Sequence, residues 1–222
     1  MYCAAGVLPP VEAVARSYEM NSGVTIQLQP GPSQTLLANI EITQRGDLFL
    51  PADDSYLALA RDRGLIAETV PLARMTVMLA VRKGNPKNLR SLDDLLRSGV
   101  SIAQAGDAAA IGKLTRDALQ KSGRWDEFER RVVVFKTTVT EVANDVKLGA
   151  VDAGFIWDAL RQQYPDLDVI PIAALTNVQA RVSVGVLRPS TQPDEALRFA
   201  RHLGARDQGL IEFRRHGYEV SP

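Results

Sequence analysis

Few side chains in this sequence are of the types that carry out covalent or metal-assisted chemistry. Its two histidines, His202 and His216, lie among arginines near the C-terminus, where the periodicity predicts helices with solvated surfaces. A Ser-His-Asp triad would need one of them, and no serine occurs in the Gly-x-Ser-x-Gly pattern of a nucleophile elbow. Cys3 is the single cysteine, which excludes an intramolecular disulfide and a cysteine-based zinc site. We therefore predict no catalytic residue, no metal site and no cofactor.

Two pairs of adjacent carboxylates, Asp53–Asp54 and Asp93–Asp94, have a spacing that an acid/base or metal-binding pair could use. Each pair stands at the predicted start of a helix, where a carboxylate accepts a backbone N–H and complements the helix dipole. Ser91 and Asp94 also have the spacing of a capping box, with Asp in place of the usual Glu. We interpret both pairs as helix caps.

The segment from Gly106 to Lys113 resembles a phosphate-binding loop at first sight. Five residues separate Gly106 from Gly112, whereas the P-loop has four. Leu114 follows the lysine, where the P-loop has a Ser or Thr that ligates magnesium. We therefore do not interpret it as a nucleotide site, although the start of a helix here can still offer backbone N–H groups to an anion.

Small residues recur where predicted strands lead into predicted helices. The start of a helix carries roughly half a positive charge and several unpaired N–H donors, so several such starts together could hold an oxyanion without lysine or arginine. Small residues also begin many strand-to-helix loops for packing reasons alone, so both interpretations stay open. The segments are Ala4-Ala5-Gly6, Gly31-Pro32-Ser33, Ala108-Ala109-Ala110 and Thr137-Thr138-Val139.

Short strand-like runs alternate with helical patterns along the whole chain, which predicts an α/β fold with mostly parallel sheets. Right-handed crossovers would align the strand-to-helix loops along one edge, outside the carboxyl ends of the strands, where open α/β sheets bind ligands. Ser33 is placed to cap the helix that follows it. The predicted strands are Tyr2–Ala5, Val24–Leu28, Asp47–Leu50, Met75–Val81, Val100–Ala103, Val132–Phe135, Ala153–Ile156, Val169–Ile172 and Arg181–Leu187.

Composition and length are typical of a globular protein of one or two domains, with 45% hydrophobic and 23% charged residues. The 26 basic and 26 acidic residues cancel, which argues against a nucleic-acid partner bound through a general basic field. No apolar run approaches the roughly 18 residues of a membrane span. Met1 leads directly into a strand-like segment, so we expect either a cytoplasmic protein or one whose leader is absent from this sequence.

Five motifs, in order and with matching spacing, carry a resemblance that covers nearly the whole chain. The sequence resembles the molybdate-binding proteins of bacterial ABC importers, which have the type II periplasmic binding protein fold. The third motif is similar to that family's Asp-x-Phe-x-Ser-Ala-Asp block, and the last to its Asp-Ala-Gly-x-Val-Tyr block. The motifs are Ala4–Leu8, Gly31–Ser33, Asp47–Asp53, Val81–Pro86 and Asp152–Trp157.

The resemblance implies two α/β lobes joined by a two-crossing hinge, with the ligand cleft between the lobes. Lobe one would comprise residues 1–79 plus 183–222, and lobe two residues 80–182. The protein would be a periplasmic or otherwise extracytoplasmic solute-binding component of an ABC importer, a monomer and not an enzyme. Its partners would be a small oxyanion, molybdate or tungstate, and a permease in the membrane.

The family's ligand-binding positions map onto this chain residue by residue. Gly6 and Trp157 stand where the family has hydroxyl side chains, so Gly6 keeps only backbone donors and Trp157 offers an indole N–H, which can only donate. These two differences leave other anions open, such as sulfate, phosphate or an organic acid. The full predicted set is Gly6, Val7, Ser33, Gln34, Ala110, Ile111, Val139 and Trp157.

Two other classes of function share this fold. One is the ligand-sensing domain of a transcriptional regulator, which would need a DNA-binding segment that this sequence does not contain. The other is an enzyme, such as a deaminase or transferase, which the absence of histidines or paired carboxylates from the cleft loops disfavours. A sequence upstream of Met1 would distinguish transport from regulation.

Overall fold

The computed structural model describes residues 1–220, which form two compact α/β units. Unit 1 comprises Met1–Arg74 and the chain from Arg181 onward, and unit 2 comprises Met75–Ala180. The chain passes between the units in two long strands, β4 (Ile66–Arg82) and β9 (Gln179–Leu187). The boundaries between the units therefore fall between residues 74 and 75 and between residues 180 and 181. The sequence predicted them between residues 79 and 80 and between residues 182 and 183.

Unit 1 is built on three short parallel strands, β1 (Tyr2–Ala4), β2 (Gln29–Gly31) and β3 (Leu48–Leu50). β1 lies in the middle, with Tyr2 beside Gln29 on one side and Phe49 on the other, and β9 joins β3 antiparallel. A helix follows each parallel strand: α1 (Leu8–Ser22), α2 (Ser33–Thr43) and α3 (Asp54–Asp62). The C-terminal part adds α8 (Pro193–Leu203), α9 (Gly209–Arg215) and β10 (Glu219–Val220), which pairs with β4.

Unit 2 repeats this plan with β5 (Ile102–Ala105) between β6 (Val132–Lys136) and β7 (Ala153–Trp157), all parallel. β4 pairs antiparallel with β7 and with β8 (Leu167–Ile170). The helices are α4 (Leu92–Leu95), α5 (Ala110–Lys121), α6 (Trp125–Glu129) and α7 (Val139–Leu148). No helix within residues 1–220 has the length and apolar character needed to cross a membrane.

Each unit buries its own apolar core between the sheet and its helices, as the alternating pattern predicts. Fully burying a side chain of this size contributes about 1.5–3 kcal/mol, so each core is a main source of its unit's stability. In unit 1 the core includes Val11, Leu36, Ile40, Phe49, Phe199 and Phe213. In unit 2 it includes Leu79, Leu119, Phe128, Val142, Val146 and Phe155.

Most local predictions are confirmed, and two strand predictions are wrong. Asp53 caps α3 by accepting from Ser55 N at 3.0 Å, and Ser91 forms the predicted capping box with Asp94. The strand predicted at Val24–Leu28 lies instead at Gln29–Gly31, because the three-residue β1 pairs with those residues. β4 begins at Ile66 rather than near Met75, because distant strands pair with it: β9 is its neighbour in the sheet, and β10 pairs with it at Ala73 and Arg74.

Asp152, part of the last motif, ties the starts of β5 and β7 together. Its Oδ2 accepts from both the backbone N and the Oγ of Ser101 at 2.8 Å, and from Lys87 Nζ at 2.9 Å. Burial by itself would raise the pKa of this carboxyl, but the bonds from Ser101 and Lys87 outweigh it and hold the pKa below its ordinary value. The motif residue is therefore a structural anchor of unit 2.

Gly112 lets the first turn of α5 lie directly on the end of β5. A Cβ at this position would stand 2.2 Å from the carbonyl oxygen of Gly106 and 2.4 Å from that of Ala105. Both atoms are backbone, so they cannot move aside as a flexible side chain could. The glycine that suggested a phosphate-binding loop is thus required for helix-to-strand packing.

We expect Gly112→Ala to destabilise the protein by about 1–3 kcal/mol or more, the usual effect of overpacking, although alanine normally favours a helix. Gly106→Ala is the matched control, because its Cβ would meet only Lys136 O at an ordinary 3.7 Å. Denaturant unfolding of both variants measures the difference. Equal stability of the two would contradict the packing role of Gly112.

Candidate functional site

In unit 1, a short 3₁₀ helix at Ala5–Val7 follows β1 and carries the first two predicted ligand residues. Gly6 and Val7 are both buried, and no side chain caps this turn. The first N–H groups of such a turn have no partner within it, so they can donate to a ligand. The carbonyl of Gly6 accepts from the hydroxyl of Tyr218, which anchors the turn to the C-terminal part of unit 1.

Ser33 is the first residue of α2, and the prediction that it caps this helix is wrong. The capping position is Pro32, and no side-chain cap is present. The Oγ of Ser33 instead accepts from Ala52 N at 3.1 Å, in the loop after β3, and the residue is 1% exposed. Because a hydroxyl can donate while it accepts, the proton of Ser33 stays available for a ligand. Gln34, the next predicted residue, is exposed on the same first turn.

Parallel pairing brings these positions of unit 1 to one edge of its sheet. β1, β2 and β3 run in the same direction, so their carboxyl ends lead into Ala5–Val7, Ser33 and Ala52 along that edge. The Ser33–Ala52 bond joins two of the three loops directly. The ends of neighbouring parallel strands are the usual place for a ligand in an open α/β sheet.

In unit 2, the start of α5 carries the predicted residues Ala110 and Ile111, both buried. The capping residue is Ala109, which has no side-chain acceptor to offer, so the first-turn N–H groups are not satisfied by a side-chain cap. The preceding loop is held by Gly106 N, which donates to Lys136 O at 2.8 Å. This bond ties the loop before α5 to the end of β6.

The start of α7 is capped in a way that leaves the predicted donor Val139 out of the cap. Thr138 Oγ1 accepts from Glu141 N at 3.3 Å, while Glu141 Oε2 accepts from Thr137 N at 2.8 Å and Thr138 N at 3.2 Å. The amides of Thr137, Thr138 and Glu141 are thereby used. The N–H groups of Val139 and Thr140 are not part of this capping box.

Trp157, the last predicted residue, ends β7 and is 1% exposed. Asp158 follows it and accepts from Thr76 N at 3.0 Å and Ala159 N at 2.8 Å, which holds the chain where the strand ends. Since β5, β6 and β7 are parallel, the starts of α5 and α7 and the end of β7 lie along one edge of the sheet of unit 2. The structure thus groups Ala110, Ile111, Val139 and Trp157 within this unit.

Asp54 is a charged group of unit 1 whose role the sequence analysis missed, since it assigned the residue only to capping. Asp53 makes the cap, and Asp54 Oδ2 accepts instead from Ser183 Oγ on β9 at 3.0 Å. Its Oδ1 is buried without a hydrogen-bond partner. Burial raises the pKa of Asp54 above its ordinary value; the charge of Asp53 adds to this, and the bonds from Ser183 and the charge of Arg181 oppose it.

The donors that the structure offers in both units are neutral N–H and O–H groups. Within residues 1–220, no group of three or more His, Cys, Asp or Glu side chains could hold a metal ion. Such neutral donors at the starts of helices suit a small anion rather than a cation or a nucleic acid.

A model of the family described as bacterial extracellular solute-binding protein matches residues 1–219. The chain belongs to this family. A molybdate-binding protein ModA of Mycobacterium bovis is 28% identical over 189 residues, which cover 81% of this chain and 68% of the relative.

Two solved structures share the fold at low identity. The periplasmic molybdate-binding protein of Azotobacter vinelandii has a TM-score of 0.83 and 16% identity, covering 100% of this chain and 97% of that chain. The sulfate-binding protein SubI of Mycobacterium tuberculosis has a TM-score of 0.84 and 18% identity, covering 100% and 86%. These likenesses confirm the predicted fold, and a solute-binding family agrees with the prediction that the chain is not an enzyme.

We expect Asp54→Asn to raise the stability of the protein at neutral pH. A carboxyl whose pKa is raised by folding favours the folded state at pH values below its unfolded pKa, and that contribution is lost as pH rises through the folded pKa. The stability that the variant gains over the wild type should therefore shrink as the pH falls toward the ordinary pKa of a carboxyl. Thermal unfolding of the wild type and the variant across pH measures it; a variant that is less stable at neutral pH would contradict the expectation.

Proposed function

We propose that this family member is the solute-binding component of a bacterial ABC importer and binds a tetrahedral oxyanion, molybdate or tungstate. The observation that carries the proposal is the set of helix starts at the carboxyl ends of parallel strands, without side-chain caps, at Ala5–Val7, α2 and α5. Their N–H groups need acceptors, and an oxyanion has acceptor oxygens on every side.

In the proposed complex, neutral donors of the predicted residues bind the anion. Ser33 donates from its hydroxyl and its amide, and Trp157 donates from its indole. Gly6, Val139 and the Ala110–Ile111 turn donate from the backbone, with Gln34 as a further donor. Neutral donors suit a fully deprotonated anion, because every oxygen of such a ligand is an acceptor.

The same proposal places the protein outside the cytoplasm, as a monomer that delivers its anion to a permease in the membrane. The description of the family as extracellular supports this location. The ModA relative and the Azotobacter structure favour molybdate, whereas the SubI structure favours including sulfate among the ligands tested.

Titration calorimetry with molybdate, tungstate, sulfate and phosphate tests the ligand class. We expect tight binding of molybdate and tungstate. We expect Ser33→Ala to weaken the binding of molybdate by about 10- to 150-fold, which corresponds to a lost charge-assisted hydrogen bond of roughly 1.5–3 kcal/mol. Ser17→Ala, on α1, is the matched control and should leave the affinity unchanged. Failure of all four anions to bind would overturn the oxyanion proposal and leave the family assignment intact.

Trp157→Phe tests the indole donor, because phenylalanine keeps an aromatic ring but lacks the N–H. We expect molybdate to bind about 10- to 150-fold more weakly to this variant. Trp125→Phe is the control, since Trp125 packs on Phe128 in α6 and should not affect the affinity. Titration calorimetry measures the affinity of both variants. An unchanged affinity in Trp157→Phe, with folding preserved, would remove Trp157 from the site.

A further inference from the structure

We propose that anion binding beside Ser33 is coupled to the uptake of a proton by Asp54, so that the affinity for a fully deprotonated oxyanion falls as the pH rises. This inference rests on the proposed function, because it takes Ser33 as a contact of the anion. It concerns groups of unit 1 alone: Ser33, the loop after β3, the start of α3 and the crossing strand β9.

The first step is the short path from Ser33 to Asp54. Ser33 Oγ accepts from Ala52 N at 3.1 Å, and Asp54 is two residues further along the same turn. Consecutive Cα atoms are 3.8 Å apart, so the Cα of Asp54 lies at most about 7.6 Å from that of Ala52. A dianion held by Ser33 and a carboxylate at Asp54 therefore lie in one partly buried loop region of unit 1, where their repulsion is screened much less than between exposed charges.

The second step is the state of the Asp54 carboxyl itself. One oxygen accepts from Ser183 Oγ at 3.0 Å, and the other is buried without a hydrogen-bond partner. A buried carboxylate oxygen without a donor favours the protonated form of the group. Adding a proton to the carboxylate removes its charge and forms an O–H bond, and the proton comes from the buffered solvent.

Two charged neighbours act on Asp54. Asp53 stands beside it in the chain, with its Oδ1 accepting from Ser55 N, and its charge disfavours the charged form of Asp54. Arg181 on β9 is the cation that acts on Asp54, and its effect is smaller than that of burial. Arg181 is exposed, so solvent screens its charge.

Coupling of this kind is reciprocal. If the anion raises the proton affinity of Asp54, protonation of Asp54 raises the affinity for the anion by the same factor. Asp54 thus makes the capture of molybdate or sulfate tighter in an acidic medium and weaker in an alkaline one.

Calorimetric titration with molybdate and, separately, with sulfate tests the coupling, because neither anion takes up a proton itself near neutral pH. Each is titrated at several pH values between about 6 and 8.5, in two buffers with different ionisation enthalpies. We expect uptake of up to about one proton per anion and a Kd that rises by up to about tenfold per pH unit where the uptake is complete.

Three variants identify the group. Asp54→Asn should abolish both the proton uptake and the pH dependence. Asp62→Asn is the matched control at the exposed end of the same helix and should behave as the wild type. Ser183→Ala removes the hydroxyl that stabilises the charged form, so its Kd should begin to rise only at a higher pH than in the wild type.

The outcomes separate this inference from the proposed function. Binding with the same Kd at every pH, or proton uptake that persists in Asp54→Asn, would overturn the coupling and leave the oxyanion proposal standing. If neither anion binds at any pH, the coupling and the oxyanion proposal are both overturned. If Asp54→Asn does not fold, the profile of Ser183→Ala decides: an unshifted profile overturns the coupling.

Discussion

The N–H groups at the start of a helix have no acceptor within the helix, and the helices of this protein satisfy them in two different ways. At α3, α4 and α7 a side chain supplies the acceptor, from Asp53, Ser91 and Thr138. At Ala5–Val7, α2 and α5 no side chain does so, and these starts follow directly on parallel strands. The arrangement leaves donors at one edge of each sheet, which is the physical basis of the proposed binding of an anion without cations.

Close packing keeps those donors in place. Gly112 allows the backbone of α5 to touch the end of β5, and the bond from Gly106 to Lys136 joins the loops before α5 and α7. In unit 1, the hydrogen bond between the Ser33 hydroxyl and the loop after β3 holds the start of α2 in place. A donor that is fixed before the ligand arrives loses little entropy on binding, so such rigidity adds to affinity.

The net charge of zero limits how this protein could attract an anion. With 26 basic and 26 acidic residues, the chain has no general field to attract an anion, so in the proposed function oriented dipoles carry the attraction. A carboxylate near such a site would repel the anion. The carboxylate of Glu141 accepts hydrogen bonds from the backbone amides of Thr137 and Thr138, whereas Asp54 has one buried oxygen without a hydrogen-bond partner. In the proposed coupling, this single group tunes the affinity for the anion with pH while the net charge of the protein stays near zero.

Features that depend on residues close together in the chain could be predicted from local sequence patterns. The alternation of strands and helices, the cap at Asp53 and the capping box at Ser91 all arise from contacts within a few positions, so local patterns predict them. Features that depend on residues far apart in the chain follow only from the tertiary structure. β2 forms at Gln29–Gly31 rather than five residues earlier because β1 pairs there.

The Ser33 hydroxyl turns to Ala52, 19 residues away, and Asp54 meets Ser183 across 129 residues. No pattern within a short window reports such a contact, because the energy that selects it comes from packing the whole unit. The candidate site residues could therefore be named from the chain, whereas the hydrogen bonds of Ser33 and Asp54 within the protein follow only from the fold.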